Sequence, residues 1–130
     1  VHDDASAADF ERTVVDGYPA PQLQPFERVT LFTPAARTAA GWRHFVGYVH
    51  DEPVTAGSAY VGERLVRVDN IATLDAARGH GYGNAITAAT IAADLSKPTT
   101  LIASDLGRPV YERLGFTAIL RATYWLGSRA

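Results

Sequence analysis

The most informative segment of the chain joins a predicted strand to a predicted helix, and it reads Val68-Asp69-Asn70-Ile71-Ala72-Thr73-Leu74-Asp75-Ala76-Ala77-Arg78-Gly79-His80-Gly81-Tyr82-Gly83-Asn84-Ala85. The strand is predicted over 64–74 from its extended, β-branched pattern. After Gly83 the chain becomes alanine-rich, with apolar residues at helical spacing. Between the two stand three alternate glycines. The segment therefore predicts a strand, a glycine-rich loop and a helix in direct succession.

This loop has the features of a phosphate site. Three alternate glycines leave backbone N–H groups unshielded by side chains, and the helix that begins near Gly83 directs its positive dipole end into the same concavity. Arg78 adds a cation at the mouth of the loop. We expect the loop to hold a phosphate or pyrophosphate. A glycine-rich turn that only reverses the chain is the structural alternative.

Three phosphate-binding motifs compete for the loop. A P-loop requires Lys and then Ser or Thr after its last glycine, where this chain has Asn84 and Ala85. A dinucleotide-binding fingerprint needs glycine or alanine at Asn84 and should open a parallel βαβ unit. The third motif is Arg or Gln, two further residues, and then Gly-x-Gly or Gly-x-Ala. Arg78, Gly81 and Gly83 fit that motif.

The other elements follow from periodicity and from the positions of proline and glycine. In chain order they are a helix over 5–15, strands over 42–49, 54–61 and 64–74, a helix over 83–95, a strand over 99–103, a helix over 106–114 and a strand over 116–126. Residues 18–40 contain four prolines and are predicted to be mostly irregular. The order β-β-β-α-β-α-β predicts an α/β (α+β) fold. It consists of an antiparallel meander in a mixed sheet, with helices on its faces.

Composition indicates one ordinary globular domain. The chain has 130 residues, 47% hydrophobic and 20% charged, with a formal net charge of -2. A nucleic-acid binder is usually more cationic. No cysteine is present, which excludes disulfides and thiolate metal sites, and no apolar run approaches the roughly 20 residues of a membrane span. We expect a cytoplasmic protein without metal, nucleic-acid or membrane partners.

Together these motifs resemble the GCN5-related N-acetyltransferase (GNAT) family. The resemblance covers roughly residues 42–126. It rests on three segments in the expected order, Ile71-Ala72-Thr73, Arg78-Gly79-His80-Gly81-Tyr82-Gly83 and Val110-Tyr111-Glu112-Arg113-Leu114-Gly115-Phe116. It implies a GNAT-like acyl-CoA N-acyltransferase fold. It also implies an enzyme that transfers an acetyl group from acetyl-CoA to a primary amine by direct attack.

The resemblance also implies a domain layout. Residues 1–130 form one domain, in which 1–41 are the N-terminal helix and proline-rich loop and 42–126 are the acetyl-CoA-binding core. The family's first strand, which precedes the first helix, is largely missing from this sequence. The chain could therefore be part of a longer protein.

Relatives bind the coenzyme on the strand, the loop and the following segment. By the resemblance, the strand that ends at Thr73 splays from its parallel neighbour over 99–103, and the pantetheine arm pairs with free main-chain groups in the gap. Ser104 stands at the distance before Tyr111 where relatives often have a coenzyme contact. The implied coenzyme-binding residues are Ile71, Ala72, Thr73, Arg78, Gly79, His80, Gly81, Tyr82, Gly83, Asn84 and Ser104.

Two side chains are implied for catalysis. Tyr111 matches the family's proton-donor tyrosine and would protonate or steady the departing thiolate; the alternative is a core aromatic beside Leu114 and Phe116. Asp69 lies two residues before Ile71, and alternation along a strand places both on one face, where some relatives have their base. A hydrogen-bonded edge aspartate, with a water chain as the base, is the alternative.

The motifs leave several questions open. A non-catalytic acyl-CoA-binding regulatory module would keep the loop without needing Tyr111 or a base. The acceptor is not encoded in any motif, so a small metabolite, an antibiotic, a polyamine or a protein N-terminus is compatible, and so is a longer acyl donor. The expected partners are acetyl-CoA and an amine acceptor, with a homodimer as an open option. His44 either faces the acceptor or is a satisfied core histidine.

Overall fold

A four-stranded sheet forms the centre of the computed structural model, which describes residues 1–18, 24–26, 32–123 and 125. In spatial order its strands are β1 (Trp42–Val49), β2 (Glu52–Val61), β3 (Val66–Thr73) and β4 (Thr99–Leu101). β1 and β2 are antiparallel, as are β2 and β3, whereas β4 runs parallel to β3. The predicted meander and mixed sheet are confirmed.

Four α-helices accompany the described sheet: α1 (Asp4–Gly17), α2 (Pro34–Arg37), α3 (Tyr82–Ile91) and α4 (Arg108–Arg113). The Asp3 carboxylate accepts the Ser6 N–H at 2.8 Å and so caps the start of α1. α3 ends earlier than the predicted residue 95. A turn follows, in which the Asp94 carboxylate accepts the Ser96 N–H at 3.0 Å.

The two longer helices lie on opposite faces of the sheet. Ala56 of β2 belongs to a buried cluster with Phe10 of α1. The next residue, Gly57, approaches Ile86 and Thr90 of α3. Because successive strand residues point to opposite faces, α1 covers one face and α3 the other.

A β-bulge in β3 changes which of its residues share a face. Ser58 lies opposite Asp69. With regular pairing, Ala56 would lie opposite Ile71, but its partner is Ala72. Asn70, with φ of 55°, occupies the irregular position. Asp69 and Ala72 therefore share the α1 face, and Ile71 points to the α3 face. The prediction that Asp69 and Ile71 share a face was wrong, because simple alternation does not allow for an extra residue.

β3 and β4 separate after a short paired stretch. Their pairs are Val66–Thr99, Arg67–Thr100 and Val68–Leu101, and no further pair forms between them in the described part of the chain. No strand of the described residues pairs with the rest of β3, up to Thr73, on this side. This is the splay that the resemblance implied, although β4 is shorter than the predicted strand over 99–103.

The predicted last strand over 116–126 is not formed by its described residues. Residues 116–123 and Trp125 belong to no strand, and the side chains of Ile119, Leu120 and Trp125 are exposed. A strand needs a neighbouring edge that accepts and donates hydrogen bonds. β4 offers an edge of only three residues, so the local pattern that predicted this strand lacked a partner to pair with. Residues 124 and 126 lie outside the described part.

Candidate functional site

A cleft of about 410 Å³ opens where β3 and β4 separate. It is bounded by the end of β3, the loop that follows, the first turn of α3, the segment around α4 and the end of α1. All of the predicted coenzyme-binding residues except His80 line it, and so does Tyr111. The fold therefore brings the strand, loop and tyrosine segments to one place.

The glycine-rich loop presents unpaired backbone donors to this cleft. Gly79 and Gly81 have φ values of 80° and 85°, a region that glycine enters without strain. A Cβ at either position would meet no atom of the described residues within 4 Å, so none of them fills the space above the loop. The N–H groups from Gly81 to Asn84 have no backbone acceptor among the described residues, because α3 begins here. A phosphate group fits such a helix N-terminus.

Asn84 adds a buried acceptor to the cleft. Its Oδ1 atom is buried and has no hydrogen-bond partner among the described residues. An unpaired buried amide oxygen is costly, so a donor from a bound molecule would stabilise it. The loop N–H groups need an acceptor and Asn84 needs a donor. A molecule with both phosphate oxygens and amide N–H groups meets both needs.

The Arg78 guanidinium links the segments that form the floor of the cleft. Its Nη2 atom donates to the carbonyl oxygen of Gly17 at 2.9 Å, and its Nε atom donates to the carbonyl oxygen of Thr73 at 3.2 Å. Its Nη1 atom lies 2.8 Å from Asp75 Oδ1. The expected cation is therefore present at the loop, but its donors already connect α1, β3 and the loop.

His80 turns back onto its own loop. Its Nδ1 atom lies 2.9 Å from the carbonyl oxygen of Arg78, and its ring stacks on Tyr82 with a centroid distance of 5.8 Å. His80 is exposed and does not line the cleft. A contact between His80 and a phosphate stays a prediction.

Tyr111 lines the cleft from α4 and is partly buried. Its ring meets the ring of Phe116 edge-on, with a centroid distance of 6.1 Å and an interplanar angle of 71°. Burial raises the pKa of Tyr111 above the ordinary tyrosine value, and the nearby Tyr18 adds to the rise. The phenol is therefore protonated at neutral pH and can donate a hydrogen bond into the cleft.

Asp69 is not among the described residues that line the cleft. Its Oδ2 atom pairs with Arg67 Nε at 2.6 Å on the α1 face. The Arg67 guanidinium in turn lies over the rings of Trp42 and Tyr60, 5.4 and 5.8 Å from their centroids. The bulge thus places the candidate base in a surface network rather than beside Tyr111.

His44 is a buried residue of the α1 face. Its ring stacks on Trp42, its Nδ1 atom lies 2.8 Å from Ser58 Oγ, and Phe10 packs nearby at a ring distance of 5.1 Å. Burial lowers its pKa. His44 therefore lies in the core and does not line the cleft, but it is not a fully satisfied histidine, because its buried Nε2 atom has no hydrogen-bond partner among the described residues.

Some cleft residues were not expected from the sequence. Gly17 and Tyr18 come from the end of α1, and Leu106, Gly107 and Val110 flank Tyr111. No motif marks Gly17 or Tyr18. They reach the cleft because α1 packs closely on the end of β3, where a Cβ on Gly17 would lie 3.1 Å from the backbone of Thr73. Gly107 could have been inferred because it lies four residues before Tyr111, a helical spacing, whereas Leu106 and Val110 are not at such a spacing.

A family comparison agrees with this arrangement of strand, loop and helix. The family described as acetyltransferase (GNAT) domain matches residues 20–129, which is most of the chain. The chain therefore belongs to the GNAT family of acetyltransferases. None of the curated proteins compared with the chain matches it significantly.

Three solved structures with the same fold align with this chain over different fractions of their own length. An acetyltransferase of Trypanosoma brucei aligns with a TM-score of 0.70 and 19% identity, over 92% of this chain and 93% of its own. A GCN5-related N-acetyltransferase of Ralstonia eutropha gives 0.59 and 17%, over 66% of this chain and 65% of its own. A predicted acetyltransferase of Clostridium acetobutylicum, with acetyl-CoA, gives 0.53 and 19%, over 68% and 64%.

These similarities to solved structures establish a shared fold and nothing further. The chain spans about two thirds of the length of the Ralstonia and Clostridium proteins, and nearly all of the Trypanosoma protein. Among the described residues, no helix has both the length and the apolar character that crossing a membrane requires.

Proposed function

We propose that this chain transfers an acetyl group from acetyl-CoA to a primary amine by direct attack on the thioester. One observation carries the proposal. The unpaired edge of β3, the N–H groups of the glycine-rich loop and the protonated Tyr111 phenol all border a single cleft. Acetyl-CoA contains a pyrophosphate, an amide-bearing arm and a reactive thioester, and each matches one of these features.

The coenzyme is proposed to lie along the cleft from the loop to the splay. Its pyrophosphate accepts hydrogen bonds from the N–H groups between Gly79 and Asn84. Its pantetheine arm pairs with the free edge of β3 at Ile71, Ala72 and Thr73, in the manner of an added strand. The thioester then reaches the part of the cleft that Tyr111 and Ser104 border.

The chemistry needs an anionic oxygen to be stabilised and a thiolate to be protonated. The amine nitrogen forms a bond to the carbonyl carbon, the carbon–sulfur bond breaks, and the sulfur leaves as coenzyme A. Free backbone N–H groups at the splayed edge of β3 are proposed to stabilise the carbonyl oxygen. Tyr111 donates to the sulfur. A phenol of pKa about 10 is a weaker acid than a thiol of pKa about 8.5, so this transfer accompanies bond breaking rather than follows it.

The amine must lose a proton, and the described part of the cleft wall offers no carboxylate or imidazole to accept it. The described lining residues include no Asp, Glu or His, but they include Arg78 and Arg113. Nearby positive charge disfavours the ammonium form of a bound amine. We therefore propose that the acceptor reacts as its free base and that water, rather than Asp69, takes the proton.

The lack of a base among the described lining residues favours a second candidate function. A cleft whose described lining holds no base also suits a non-catalytic acyl-CoA-binding module. Such a module needs the loop but has no use for a phenol directed at the thioester. The position of Tyr111 therefore favours the enzyme over the module.

Ligand binding and turnover together test the proposal. Acetyl-CoA at about 100 times its Kd should stabilise the fold by about 2.7 kcal/mol in thermal unfolding, whereas NAD and ATP should not. Thiol release should then be measured with spermidine, glucosamine 6-phosphate, an aminoglycoside and a peptide with a free N-terminus. Binding without turnover on an extended amine panel would favour the regulatory module. A shift with NAD but not with acetyl-CoA would contradict the coenzyme assignment.

A further inference from the structure

Two threonine hydroxyls form a cross-strand pair at the end of β3. Thr55 of β2 lies opposite Thr73, and the Oγ1 atoms of the two residues are 3.0 Å apart. Thr55 is buried, with 3% of its surface exposed, whereas Thr73 is partly exposed and lines the cleft. The pair therefore connects the interior of the sheet with the cleft.

The hydrogen bonds of this pair fix the direction of both hydroxyl protons. A threonine hydroxyl has one proton to donate and two lone pairs that accept. Thr55 Oγ1 donates its proton to the carbonyl oxygen of Ala72 at 2.8 Å, because a carbonyl oxygen can only accept. The proton of the 3.0 Å contact then comes from Thr73. Thr73 Oγ1 has no proton left to donate, so it can serve a ligand only as an acceptor.

The Thr73 hydroxyl oxygen lies beside the first turn of α3. A Cβ built on Gly83, the second residue of that helix, would be 3.6 Å from Thr73 Oγ1, and glycine carries no side chain that could cover this oxygen. Within the described part of the chain, no group donates a hydrogen bond to it. Its lone pairs therefore remain available where β3, the glycine-rich loop and α3 meet.

Strand pairing alone would not require such an acceptor. Hydrogen-bonded threonine pairs commonly stabilise neighbouring strands, and this pair does so as well. However, the cleft holds a second side-chain oxygen that needs a donor, because the buried Asn84 Oδ1 atom has no partner among the described residues. Two acceptors without donors at the start of one helix point to a ligand that supplies N–H or O–H groups.

An acceptor-only oxygen distinguishes between the parts of acetyl-CoA. The pyrophosphate is negatively charged at neutral pH, so its oxygens are acceptors too and are repelled by the lone pairs of Thr73 Oγ1. The pantetheine arm carries amide N–H groups and a hydroxyl group, and each of these can donate. The N–H groups of the glycine-rich loop have the opposite requirement, because they need an acceptor. The loop therefore suits the pyrophosphate, and the Thr73 hydroxyl suits the arm.

We propose that the Thr73 hydroxyl, oriented by Thr55, accepts a hydrogen bond from the pantetheine arm and so sets where the pyrophosphate ends and the arm begins along the cleft. This inference rests on the proposed coenzyme binding and adds a side-chain contact to the backbone contacts of β3. Thr73 determines specificity for a donor, and Thr55 is a positioning residue that acts through it. A coenzyme shifted along the cleft would place a phosphate oxygen against Thr73 and lose this hydrogen bond.

Calorimetric titration of Thr73→Val and Thr73→Ser tests the contact. Thr73→Val should weaken acetyl-CoA binding about fivefold, which corresponds to the loss of one hydrogen bond. Thr73→Ser keeps the hydroxyl and should bind acetyl-CoA within about twofold of the wild type. Thr90→Val is a matched control, because Thr90 is a buried threonine of α3 outside the described cleft lining, and its Kd should be unchanged.

A coenzyme fragment without the arm locates the effect. Adenosine 3′-phosphate 5′-diphosphate retains the pyrophosphate, and its affinity is measured by competition with acetyl-CoA. The fragment should bind the wild type and Thr73→Val equally well, since it has no arm to reach Thr73. Thr55→Val should weaken acetyl-CoA binding about twofold in the wild type but not in the Thr73→Val background, because Thr55 acts through the Thr73 hydroxyl.

Three outcomes would overturn the inference. One is an unchanged Kd for acetyl-CoA in Thr73→Val with only the Tm lowered, which would assign the pair to strand pairing alone. The others are a loss in Thr73→Ser as large as that in Thr73→Val, and an equal loss of affinity for the fragment. A wild type that bound acetyl-CoA but acetylated no amine would contradict the proposed transfer and leave this binding test decisive. A wild type that did not bind acetyl-CoA would contradict both.

Discussion

The Arg78 Nη2 atom donates a hydrogen bond of 2.9 Å to the carbonyl oxygen of Gly17, the last residue of α1. α1 has no basic residue in its own last turn. The negative end of its dipole is therefore met by a cation from a distant segment. The same guanidinium also donates a hydrogen bond to the carbonyl oxygen of Thr73. Arg78 therefore connects α1 and β3 to the loop that lines the cleft.

We predict that Arg78→Gln lowers the stability of the chain without any ligand. The two carbonyl contacts are charge-assisted but partly exposed to solvent, so we expect a loss of about 1 kcal/mol in urea unfolding. Asp75→Asn removes only the exposed ion pair and should cost less than about 0.5 kcal/mol. Unchanged stability together with a large loss of acetyl-CoA affinity would instead show that Arg78 mainly binds the coenzyme.

We predict that Gly81→Val weakens acetyl-CoA binding more than it weakens folding. Its φ of 85° penalises a side chain by about 1–2 kcal/mol, and a valine would also cover the unpaired N–H groups of the loop. Gly115→Val is a matched control, because Gly115 has φ of 89°, open space around it and no place in the described cleft lining. Both variants should lose similar stability, but calorimetric titration should show lost affinity only for Gly81→Val. Equal affinities would remove the loop from the coenzyme site.

Tyr111→Phe is expected to lower kcat by about 10²-fold, at the low end of the general-acid range. The Kd for acetyl-CoA and the Tm should change little, since the hydroxyl acts mainly in the transition state. Tyr60→Phe, at a tyrosine outside the cleft lining, should retain full activity. A full-rate Tyr111→Phe enzyme with a stability loss of about 1 kcal/mol would assign Tyr111 to packing alone.

The pH dependence should reflect the acceptor amine and Tyr111. We expect kcat/KM to rise with pH toward the pKa of the amine, because only its free base attacks. Since burial raises the pKa of Tyr111, the acid stays protonated beyond the usual tyrosine range, and the rate should fall only above about pH 10. That fall should be absent in Tyr111→Phe. A large loss of kcat in Asp69→Asn, with an unchanged Kd for acetyl-CoA, would establish Asp69 as the base.

His44 should make the fold sensitive to mild acid. Because its pKa is lowered in the folded state, the unfolded chain takes up the proton first, and stability is lost as pH falls below about 6.5. The loss is at most about 1.4 kcal/mol per pH unit. His44→Gln should be less stable than the wild type at pH 8 and closer to it at pH 5. A stability difference that is constant with pH would show that His44 does not titrate on unfolding.

Local patterns were sufficient to predict much of this protein. The three strands of the meander and the helices before and after them follow from periodicity, which depends only on which residues a strand or helix must bury. The loop from Arg78 to Gly83 was recognisable because its three alternate glycines leave backbone N–H groups unshielded by side chains. Two of them, Gly79 and Gly81, also have positive φ values, which other residues avoid.

The tertiary structure decided the features that depend on neighbours. Asp69 and Ile71 point to opposite faces of the sheet because of the bulge at Asn70. That bulge forms only when β3 pairs with β2. The segment from residue 116 lacks a strand because strand formation requires a partner edge, and β4 provides only three residues. The contact between Arg78 and Gly17 joins segments 61 residues apart, so no local pattern contains it. Sequence patterns report what each segment prefers alone, whereas register, splay and long-range hydrogen bonds exist only once the segments have packed together.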